Sequence, residues 1–204
     1  MENESYKPKE RDKKDFLEDL YALLHDLVYI LAGITLFFVF VVRLVGVSGP
    51  SMMQTLQDGD YVALLSNVLM GDLEQGDIIV ARKQSFENGE PIVKRVIATE
   101  GQTVDILYDN NGIGTVYVDG EAIKETYINS EMYMPNYSMT AFPQVVEENC
   151  VFVMGDNRNR SADSRYSLIG QIEESQVLGK VLFVLFPGKG ESEKRDFSRI
   201  GAVS

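Results

Sequence analysis

A long apolar run near the N-terminus limits what this chain can fold into. Residues 27–42 contain no charged residue, and the run continues to Val47 with Arg43 as its one interruption. As a helix, about 20 residues at about 1.5 Å each span a hydrocarbon core of about 30 Å. A helix that is apolar on every side is hard to cover in a chain of 204 residues. We therefore expect a transmembrane anchor over residues 27–47 rather than the alternative, a buried core helix.

Basic residues are concentrated on one side of the apolar run. Lysines and arginines are frequent in residues 7–14, whereas Arg43 is followed by no further basic residue before Arg82. Positive charge beside a span favours the cytoplasmic side. We therefore expect residues 1–26 to form a cytoplasmic tail and residues 48–204 to lie on the other side of the membrane, as in a single-pass protein.

The chain between the anchor and Ser51 is short. Fully extended, the residues between Val47 and Ser51 reach about 13 Å. Ser51 is therefore expected at or near the outer membrane surface, with the lipid bilayer as a partner. A cleaved signal peptide is the rival interpretation of the apolar run. Cleavage near Gly46 would leave Ser51 close to a frayed new terminus, which favours a retained anchor.

Charge and composition argue against several classes of function. The net charge of −12 argues against nucleic acid as a partner. His25 is the only histidine and precedes the apolar run, so the outer part cannot build a Ser-His-Asp triad or a His-rich metal site. Cys150 is the only cysteine, which excludes an internal disulfide and fits a small buried residue. An enzyme built from the outer part needs a base other than histidine.

Short β-type runs separated by turn signals fill the outer part of the chain. Such spacing with little helical periodicity predicts a mostly β domain over residues 48–187. Residues 131–142 are rich in Met and Tyr and are expected as a surface loop packed on the sheet. A mobile loop that touches lipid or substrate is the alternative for this stretch. Residues 188–204 are expected as a polar C-terminal tail, frayed over residues 188–200. The β-type runs lie near residues 61–65, 78–81, 92–99, 104–108, 115–118, 151–154 and 181–186.

A serine lies on a bend directly after the apolar run. The sequence there is Ser48-Gly49-Pro50-Ser51-Met52-Met53, and Gly49 with Pro50 predicts a turn rather than a helix interior. A serine held on such a bend, with apolar residues behind it, is a candidate nucleophile. Serine is also a common turn residue, so a purely structural interpretation of Ser51 stays open from this stretch alone.

A strand-like run further along the chain contains a candidate base. In Pro91-Ile92-Val93-Lys94-Arg95-Val96, alternation places Lys94 among apolar side chains on one face of the strand. A lysine on an apolar face is desolvated, which lowers its pKa, and a neutral amine can take a proton from a serine hydroxyl. Arg95 has apolar neighbours on the other face, so the strand pattern does not choose between the two residues. Arginine stays protonated and cannot act as a base, and this alone favours Lys94. A snorkelling or ion-paired lysine is the structural alternative.

A polar loop follows a later strand-like run. Its sequence is Gly155-Asp156-Asn157-Arg158-Asn159-Arg160-Ser161-Ala162-Asp163-Ser164-Arg165. The loop holds more hydrogen-bonding side chains than a bare turn requires, and loops positioned by a sheet often carry function. Asp163 and Arg165 are spaced for a salt bridge, and Ser161 is able to orient a neutral lysine. A solvated loop is the alternative, whereas the ligand spacing of an EF-hand is absent.

Together these stretches resemble type I signal peptidases, the membrane-anchored serine proteases of the Ser/Lys-dyad class. The resemblance implies an antiparallel β domain of the signal-peptidase type, with a small β insertion at about residues 104–149, preceded by one transmembrane helix. It also implies a place in a bacterial cytoplasmic membrane, with the N-terminus cytoplasmic and the catalytic domain extracytoplasmic. The similar stretches are the apolar span and residues 48–56, 76–82, 92–101, 155–165 and 179–180.

The resemblance implies a role for each candidate residue. Ser51 would be the acylated nucleophile, and Lys94 would be its general base. Ser161 would orient Lys94, while the Asp163–Arg165 pair would hold the scaffold of the site. The backbone N–H of Ser51 would bind the oxyanion.

The sequence departs from the usual pattern of the family at one position and follows only some members at another. Some members carry a serine hydroxyl two residues before the nucleophile as a second oxyanion donor, and this chain has Gly49 there. Gln54 stands where the family usually has proline. Neither Gly49 nor Gln54 alters Ser51 or Lys94, so both members of the dyad are present. Gln54 bears on which substrates are cleaved.

The resemblance also implies a substrate class. Similar enzymes cleave signal peptides from exported preproteins after small residues at the −1 and −3 positions, with the substrate extended along the site. No metal or cofactor is implied. One alternative is a catalytically weak or dedicated relative that acts as a processing factor or chaperone in surface pilus assembly. Another is a self-cleaving protein of the repressor type, which the membrane span and the acidic outer part, residues 48–204 with 23 acidic and 13 basic residues, disfavour.

Overall fold

The structure is a computed structural model that describes residues 13–53, 55–136, 138–190 and 194–203. Residues 1–12 of the expected cytoplasmic tail, and Gln54 at the usual proline position, lie outside the described residues. The chain divides into two compact units, residues 1–40 and residues 41–204.

The described part of the first unit is one helix, α1, Lys13–Phe40. Over Asp15–Phe40 it is long and apolar enough to cross a membrane, and none of its most apolar window is buried. It therefore fits a single-pass membrane anchor.

The helix ends earlier than the apolar run of residues 27–47 suggests. Val42–Gly46 form a β-strand instead, paired antiparallel from Val42 with Leu65 to Gly46 with Tyr61. The reason is that this part of the run is rich in valine, whose branched Cβ favours a strand where a partner is present. The helix ends at Phe40, whereas the expected anchor ends at Val47, so the chain between the helix and Ser51 is longer than expected.

The second unit is built from short strands, which confirms the expected mostly β class with one N-terminal helix. Short 3₁₀ turns lie at Glu87–Gly89, Arg158–Arg160, Glu174–Gln176 and Phe197–Arg199. The strands are β1 Val42–Gly46, β2 Tyr61–Ser66, β3 Ile78–Arg82, β4 Pro91–Thr99, β5 Thr103–Tyr108, β6 Ile113–Val118, β7 Glu121–Ala122, β8 Met132–Tyr133, β9 Gln144–Val145, β10 Cys150–Met154, β11 Ile172–Glu173, β12 Val177–Phe186 and β13 Gly201–Ala202.

These strands form two antiparallel sheets. The larger sheet has the order β1-β2-β12-β3-β4-β10-β11, with β13 paired to β12. The smaller sheet has the order β7-β6-β5-β9, with β8 paired to β6, and its strands lie within the stretch expected as an insertion. Because β4 is hydrogen-bonded to β3 on one side and β10 on the other, Lys94 and Arg95 lie in the interior of the larger sheet.

Apolar packing fixes the segment that follows Ser51. Met52 and Leu56 are 1% and 0% exposed and pack in one buried cluster with Val62, Val80 and other side chains of the larger sheet. Burying a side chain of this size contributes about 1.5–3 kcal/mol. The turn that carries Ser51 is therefore attached to the sheet by the apolar residues behind it.

The Met- and Tyr-rich stretch of residues 131–142 is attached to its neighbours. Met132 is buried against the smaller sheet, and the Tyr133 N–H donates a hydrogen bond of 2.9 Å to Asn159 Oδ1. Further along, the Thr140 N–H donates to the Arg165 carbonyl at 2.9 Å. The described residues thus fit the expected packed loop and join it to the loop of residues 155–165.

The C-terminal segment is ordered by pairing, contrary to the expectation of a frayed tail. Strand β13 pairs with β12, matching Ala202 with Phe183 and Gly201 with Val184. The Phe197 ring packs against the Phe186 ring at 5.8 Å between centroids. Polar composition suggested fraying, but these apolar and main-chain contacts hold the described residues 194–203 on the sheet.

Candidate active site

Ser51 lies on a tight turn that begins at Gly49. Gly49 has a φ of +86°, a left-handed conformation that favours glycine, and its N–H donates to Asp58 Oδ1 at 2.8 Å. The Met53 N–H donates to the Pro50 carbonyl at 3.2 Å and closes the turn around Ser51. Ser51 itself is half-buried at the surface of the unit. The bend predicted from Gly49 and Pro50 is therefore present.

Lys94 points from the sheet toward this turn. Its side chain is almost wholly buried, at 4% exposure of the residue. Lys94 Nζ donates to Ser51 Oγ at 3.0 Å and to the Val93 carbonyl at 2.8 Å. The lysine head thus contacts the serine hydroxyl in surroundings largely removed from water.

The neighbouring Arg95 projects to the other side of β4. Its Nε and Nη2 donate to the two oxygens of Asp156 at 2.9 and 2.8 Å, and its Nη1 donates to the Gly76 carbonyl at 2.8 Å. The guanidinium also lies 4.0 Å from the ring centre of Tyr127. Burial, and then the charge of Glu125, raise the pKa of the Tyr127 hydroxyl. The two basic residues that the strand pattern left open therefore have different contacts.

Asn157 joins the polar loop to the serine turn. Its backbone N–H donates to the Ser51 carbonyl at 3.0 Å, and its Nδ2 donates to the Pro50 carbonyl at 3.1 Å. The sequence analysis gave Asn157 no role of its own. The only signal for it was the density of polar side chains in the loop.

Gly155 permits a close approach between that loop and the serine turn. A Cβ on this residue would lie 2.5 Å from the Ser51 carbonyl oxygen and 2.6 Å from Ser161 Cβ. Ordinary Cβ atoms do not come so near to other heavy atoms. Ser161, which is 6% exposed, therefore lies next to the Ser51 main chain.

Asp163 and Arg165 form a fully buried ion pair. Arg165 Nε lies 2.8 Å from Asp163 Oδ1, and both side chains are 0% exposed. Asp163 Oδ2 also accepts the Gly155 N–H at 3.0 Å, and Arg165 Nη2 donates to the Arg158 carbonyl at 2.7 Å. The pair thus closes the loop on itself.

The surroundings of Asp163 favour its charged form. Burial by itself raises the pKa of a carboxyl group. Here the Arg165 charge and the hydrogen bonds from Arg165, Gly155 and the Ser161 side chain outweigh burial, so the pKa of Asp163 lies below its ordinary value. Asp163 is therefore a carboxylate at neutral pH, which suits a scaffold residue.

An open groove of 770 Å³ leads to the serine and the lysine. Gly46, Ile92 and Val93 line it together with Ser51 and Lys94. Within the part of the chain that the structure describes, no group of three or more His, Cys, Asp and Glu side chains is placed to hold a metal ion. A hydroxyl and an amine in contact in an open groove can carry out acyl transfer on a bound peptide.

A family model described as signal peptidase, peptidase S26, matches residues 20–186. This range includes the serine turn, β4 and the polar loop. The chain belongs to this family of peptidases. Its resemblance to signal peptidases is thus confirmed over most of its length.

Curated relatives agree with this assignment. The chain is 35% identical over 163 residues to a probable signal peptidase I-1 of Synechocystis sp., covering 76% of this chain and 77% of the relative. It is 36% identical over 147 residues to signal peptidase I of Bacillus licheniformis, covering 69% and 75%. It is 32% identical over 193 residues to signal peptidase IB of Staphylococcus aureus, covering 86% and 92%.

Among solved structures, the chain is similar to the crystal structure of a signal peptidase I from Enterococcus faecalis. The two are 28% identical, with a TM-score of 0.41. The alignment covers 54% of this chain and 97% of that one.

Proposed function

We propose that this chain is a membrane-anchored signal peptidase I that uses Ser51 as nucleophile and Lys94 as general base. The observation that carries the proposal is the 3.0 Å contact between Lys94 Nζ and Ser51 Oγ, two residues that line an open groove. Membership of the signal peptidase family supports the substrate class, which is exported preproteins with a signal peptide.

The reaction begins with proton transfer from Ser51 to Lys94. The neutral amine of Lys94 accepts the hydroxyl proton while Ser51 Oγ attacks the carbonyl carbon of the scissile peptide bond. Lys94 then returns the proton to the leaving amine, and the signal peptide stays attached to Ser51 as an ester. Water, deprotonated by the same amine, hydrolyses the ester and restores the serine.

The burial of Lys94 supports its role as base. An ammonium group that is removed from water loses its hydration, which disfavours the charged form. At 4% exposure the lysine head is in this situation, and its contacts with the Ser51 hydroxyl and the Val93 carbonyl direct it toward the nucleophile.

The oxyanion of the tetrahedral intermediate is bound by the backbone N–H of Ser51. A main-chain donor at the nucleophile is worth several kcal/mol where water is excluded. Gly49 has no hydroxyl to add a second donor, and its N–H is directed to Asp58. Ser161, Asp163 and Arg165 act behind the dyad, with Ser161 orienting Lys94 and the ion pair holding the loop.

The groove suits an extended peptide. Residues of β1 and β4, among them Gly46, Ile92 and Val93, line it, and a substrate strand beside strand segments gains main-chain hydrogen bonds. Small residues are among those that line it, namely Gly46, Gly49 and Ala162. We therefore propose small residues at the −1 and −3 positions of the substrate.

Exposed apolar side chains on one face of the larger sheet support a position of the β unit at the lipid surface. Residues paired across antiparallel strands share a face, which places Leu44 with Phe183 and Tyr61 with Phe186. These four side chains are 43–55% exposed. We propose that α1 spans a bacterial cytoplasmic membrane with the N-terminus in the cytoplasm, and that the β unit lies outside against the bilayer.

The names of the relatives quoted above give no support to the alternative role in pilus assembly. The proposed function is tested with a purified preprotein that carries an Ala-X-Ala cleavage site, incubated with the full chain in detergent. We expect wild type to release one product that begins after the second alanine, and Ser51→Ala to release none. Ser175→Ala, an exposed serine that bonds to Glu173, is the matched control and should cut like wild type. A folded wild type that leaves the preprotein uncut would refute the proposal.

A further inference from the structure

We propose that the C-terminal segment, residues 194–203, holds the loop that carries Ser51 in its working position, with Arg199 as the positioning residue. The segment lies beyond residues 20–186, the range that the family model matches. The inference rests on the proposed function, because it concerns the geometry of the same nucleophile.

The segment is docked on the larger sheet independently of Arg199. Strand β13 pairs with β12, and the Val203 N–H donates to the Leu182 carbonyl at 3.0 Å. The Asp196 carboxylate accepts the Ser198 N–H at 3.0 Å and caps the short 3₁₀ turn Phe197–Arg199. These contacts bring the Arg199 side chain toward the Ser51 loop, the segment between residues 47 and 60.

Arg199 forms a two-point ion pair with Asp60. Its Nη1 and Nη2 donate to the two carboxylate oxygens of Asp60 at 2.9 and 2.7 Å. Asp60 is 0% exposed and also accepts the Gln57 N–H and the Gly188 N–H, both at 2.7 Å. Paired charged bonds of this kind fix both distance and orientation.

The same guanidinium reaches further into the loop. Arg199 Nη2 donates to the Thr55 carbonyl at 3.3 Å, four positions after Ser51. The Thr55 hydroxyl in turn donates to Asp156 Oδ2, in the polar loop of residues 155–165. Thr55 is thus held between the C-terminal segment and the polar loop that also binds the Ser51 carbonyl.

Asp60 marks the end of the Ser51 loop. The Val47 N–H donates to the Asp60 carbonyl at 2.8 Å, which joins the two ends of the segment between residues 47 and 60. Arg199 therefore holds this loop at its closing residue and at Thr55. The Ser51 hydroxyl must lie within hydrogen-bond reach of Lys94 Nζ, so movement of the loop affects the reaction directly.

The inference predicts an effect on kcat more than on KM. Arg199 does not line the groove, so substrate contacts persist when it is replaced. A shift of about 1 Å between reacting groups lowers a rate by up to about 100-fold. We expect Arg199→Ala to lower kcat by about 10-fold to about 100-fold on this basis, and to change KM far less.

The test compares wild type, Arg199→Ala, Arg199→Lys and Arg195→Ala as full chains in detergent, with the Ala-X-Ala preprotein as substrate. Arg195 is the matched control, because it lies in the same segment but donates to the Pro187 carbonyl and stacks on Phe186. Lysine at position 199 keeps the charge toward Asp60 but cannot span Asp60 and Thr55 with a planar fork. We expect kcat to fall in the order wild type and Arg195→Ala, then Arg199→Lys, then Arg199→Ala.

Amide hydrogen exchange gives a second readout that needs no activity. We expect the backbone N–H groups within residues 49–60, where Pro50 has none, to exchange faster in Arg199→Ala than in wild type, with those of β4 and β10 unchanged. If Arg199→Ala does not fold, Arg199→Lys is used for both comparisons.

The outcomes separate this inference from the proposed function. If wild type cuts and Ser51→Ala does not, while Arg199→Ala keeps the wild-type kcat, the inference is wrong and the proposed function stands. An equal loss of kcat in Arg195→Ala and Arg199→Ala would also overturn it. If wild type does not cut, the proposed function is wrong, and unchanged exchange of residues 49–60 in Arg199→Ala then overturns the inference separately.

Discussion

The backbone N–H of Asn157 donates to the Ser51 carbonyl at 3.0 Å, and this contact joins the polar loop to the turn that carries the proposed nucleophile. The Asn157 side chain adds a bond to the preceding carbonyl, that of Pro50, at 3.1 Å. Consecutive carbonyls are thus held by one residue, so the orientation of the Ser51 main chain depends on the loop. The same main chain carries the N–H proposed to bind the oxyanion.

Replacing Asn157 by alanine tests the side-chain part of this contact. The variant keeps the backbone bond and loses the bond to Pro50, which is worth about 0.5–1.5 kcal/mol. We expect kcat to fall by up to about 10-fold, the change that corresponds to about 1.4 kcal/mol. Asn159→Ala is the control, because Asn159 bonds to Glu131 and Tyr133 instead. Equal kinetic effects of the two substitutions would contradict this role of Asn157.

Gly155→Ala places a methyl group where the serine turn and Ser161 meet. The new Cβ would lie 2.5 Å from the Ser51 carbonyl oxygen, so the turn must shift. Overpacking of this kind costs about 1–3 kcal/mol, and we expect cleavage to fall more than the loss of stability explains. Thermal unfolding and cleavage rates are measured together. Gly33→Ala, whose Cβ would meet nothing within 4 Å beyond its own stretch of helix backbone, serves as control, and wild-type cleavage by Gly155→Ala would count against the described geometry.

The Asp163–Arg165 pair predicts how stability depends on pH. The pKa of Asp163 in the folded chain lies below its ordinary value of 3.8, so ionisation of this group stabilises the fold above that value. The contribution is lost as the pH falls through the lower, folded pKa. Asp163→Asn removes it at every pH and leaves Arg165 buried without its carboxylate.

We expect Asp163→Asn to be less stable than wild type by about 3–5 kcal/mol at neutral pH, as for other broken buried pairs. Urea unfolding of both forms across the acid range measures the difference. The gap should narrow once the pH falls below the ordinary carboxyl pKa. A gap that stays constant into strong acid would show that the charge of Asp163 is not its cause.

The proposed base predicts the pH dependence of cleavage. Lys94 must be neutral to accept the Ser51 proton, so kcat/KM should rise with pH through the pKa of Lys94. Because burial disfavours the ammonium form, we expect this rise well below about 10.4, the pKa of an ordinary lysine. Cleavage rates of the preprotein across the alkaline range give the profile. A rise centred at the ordinary lysine value would argue that Lys94 is not desolvated in the working enzyme.

The main parts of the candidate site have local signatures in the sequence. A Gly-Pro bend marks Ser51, a lysine on a β-type run marks Lys94, and a dense polar loop marks residues 155–165. The alternation of β4 also predicts that Lys94 and Arg95 face opposite ways. It does not say which face meets the serine, because that depends on packing with strands distant in the sequence.

Long-range pairing explains what the sequence analysis missed. Arg95 and Asp156 are 61 positions apart, and Arg199 and Asp60 are 139 apart, so neither ion pair has a local pattern. Likewise, the strand Val42–Gly46 looks like the end of an apolar helix until β2 offers it a partner. This stretch has the same hydropathy whether it forms a helix or a strand, and only the available hydrogen-bonding partner distinguishes the two.

The most direct test of the account is whether Ser51 and Lys94 act as a unit. Cleavage of the Ala-X-Ala preprotein is measured for wild type, Ser51→Ala, Lys94→Met and the double variant, with unfolding curves to verify that each is folded. Removal of a general base lowers rates by about 100-fold to about 10,000-fold, and groups that act together show no further loss when both are removed. We predict large losses for both single variants and no additional loss for the double variant. Lys94→Met that cleaves at the wild-type rate, or a double variant in which two independent losses multiply, would contradict the dyad.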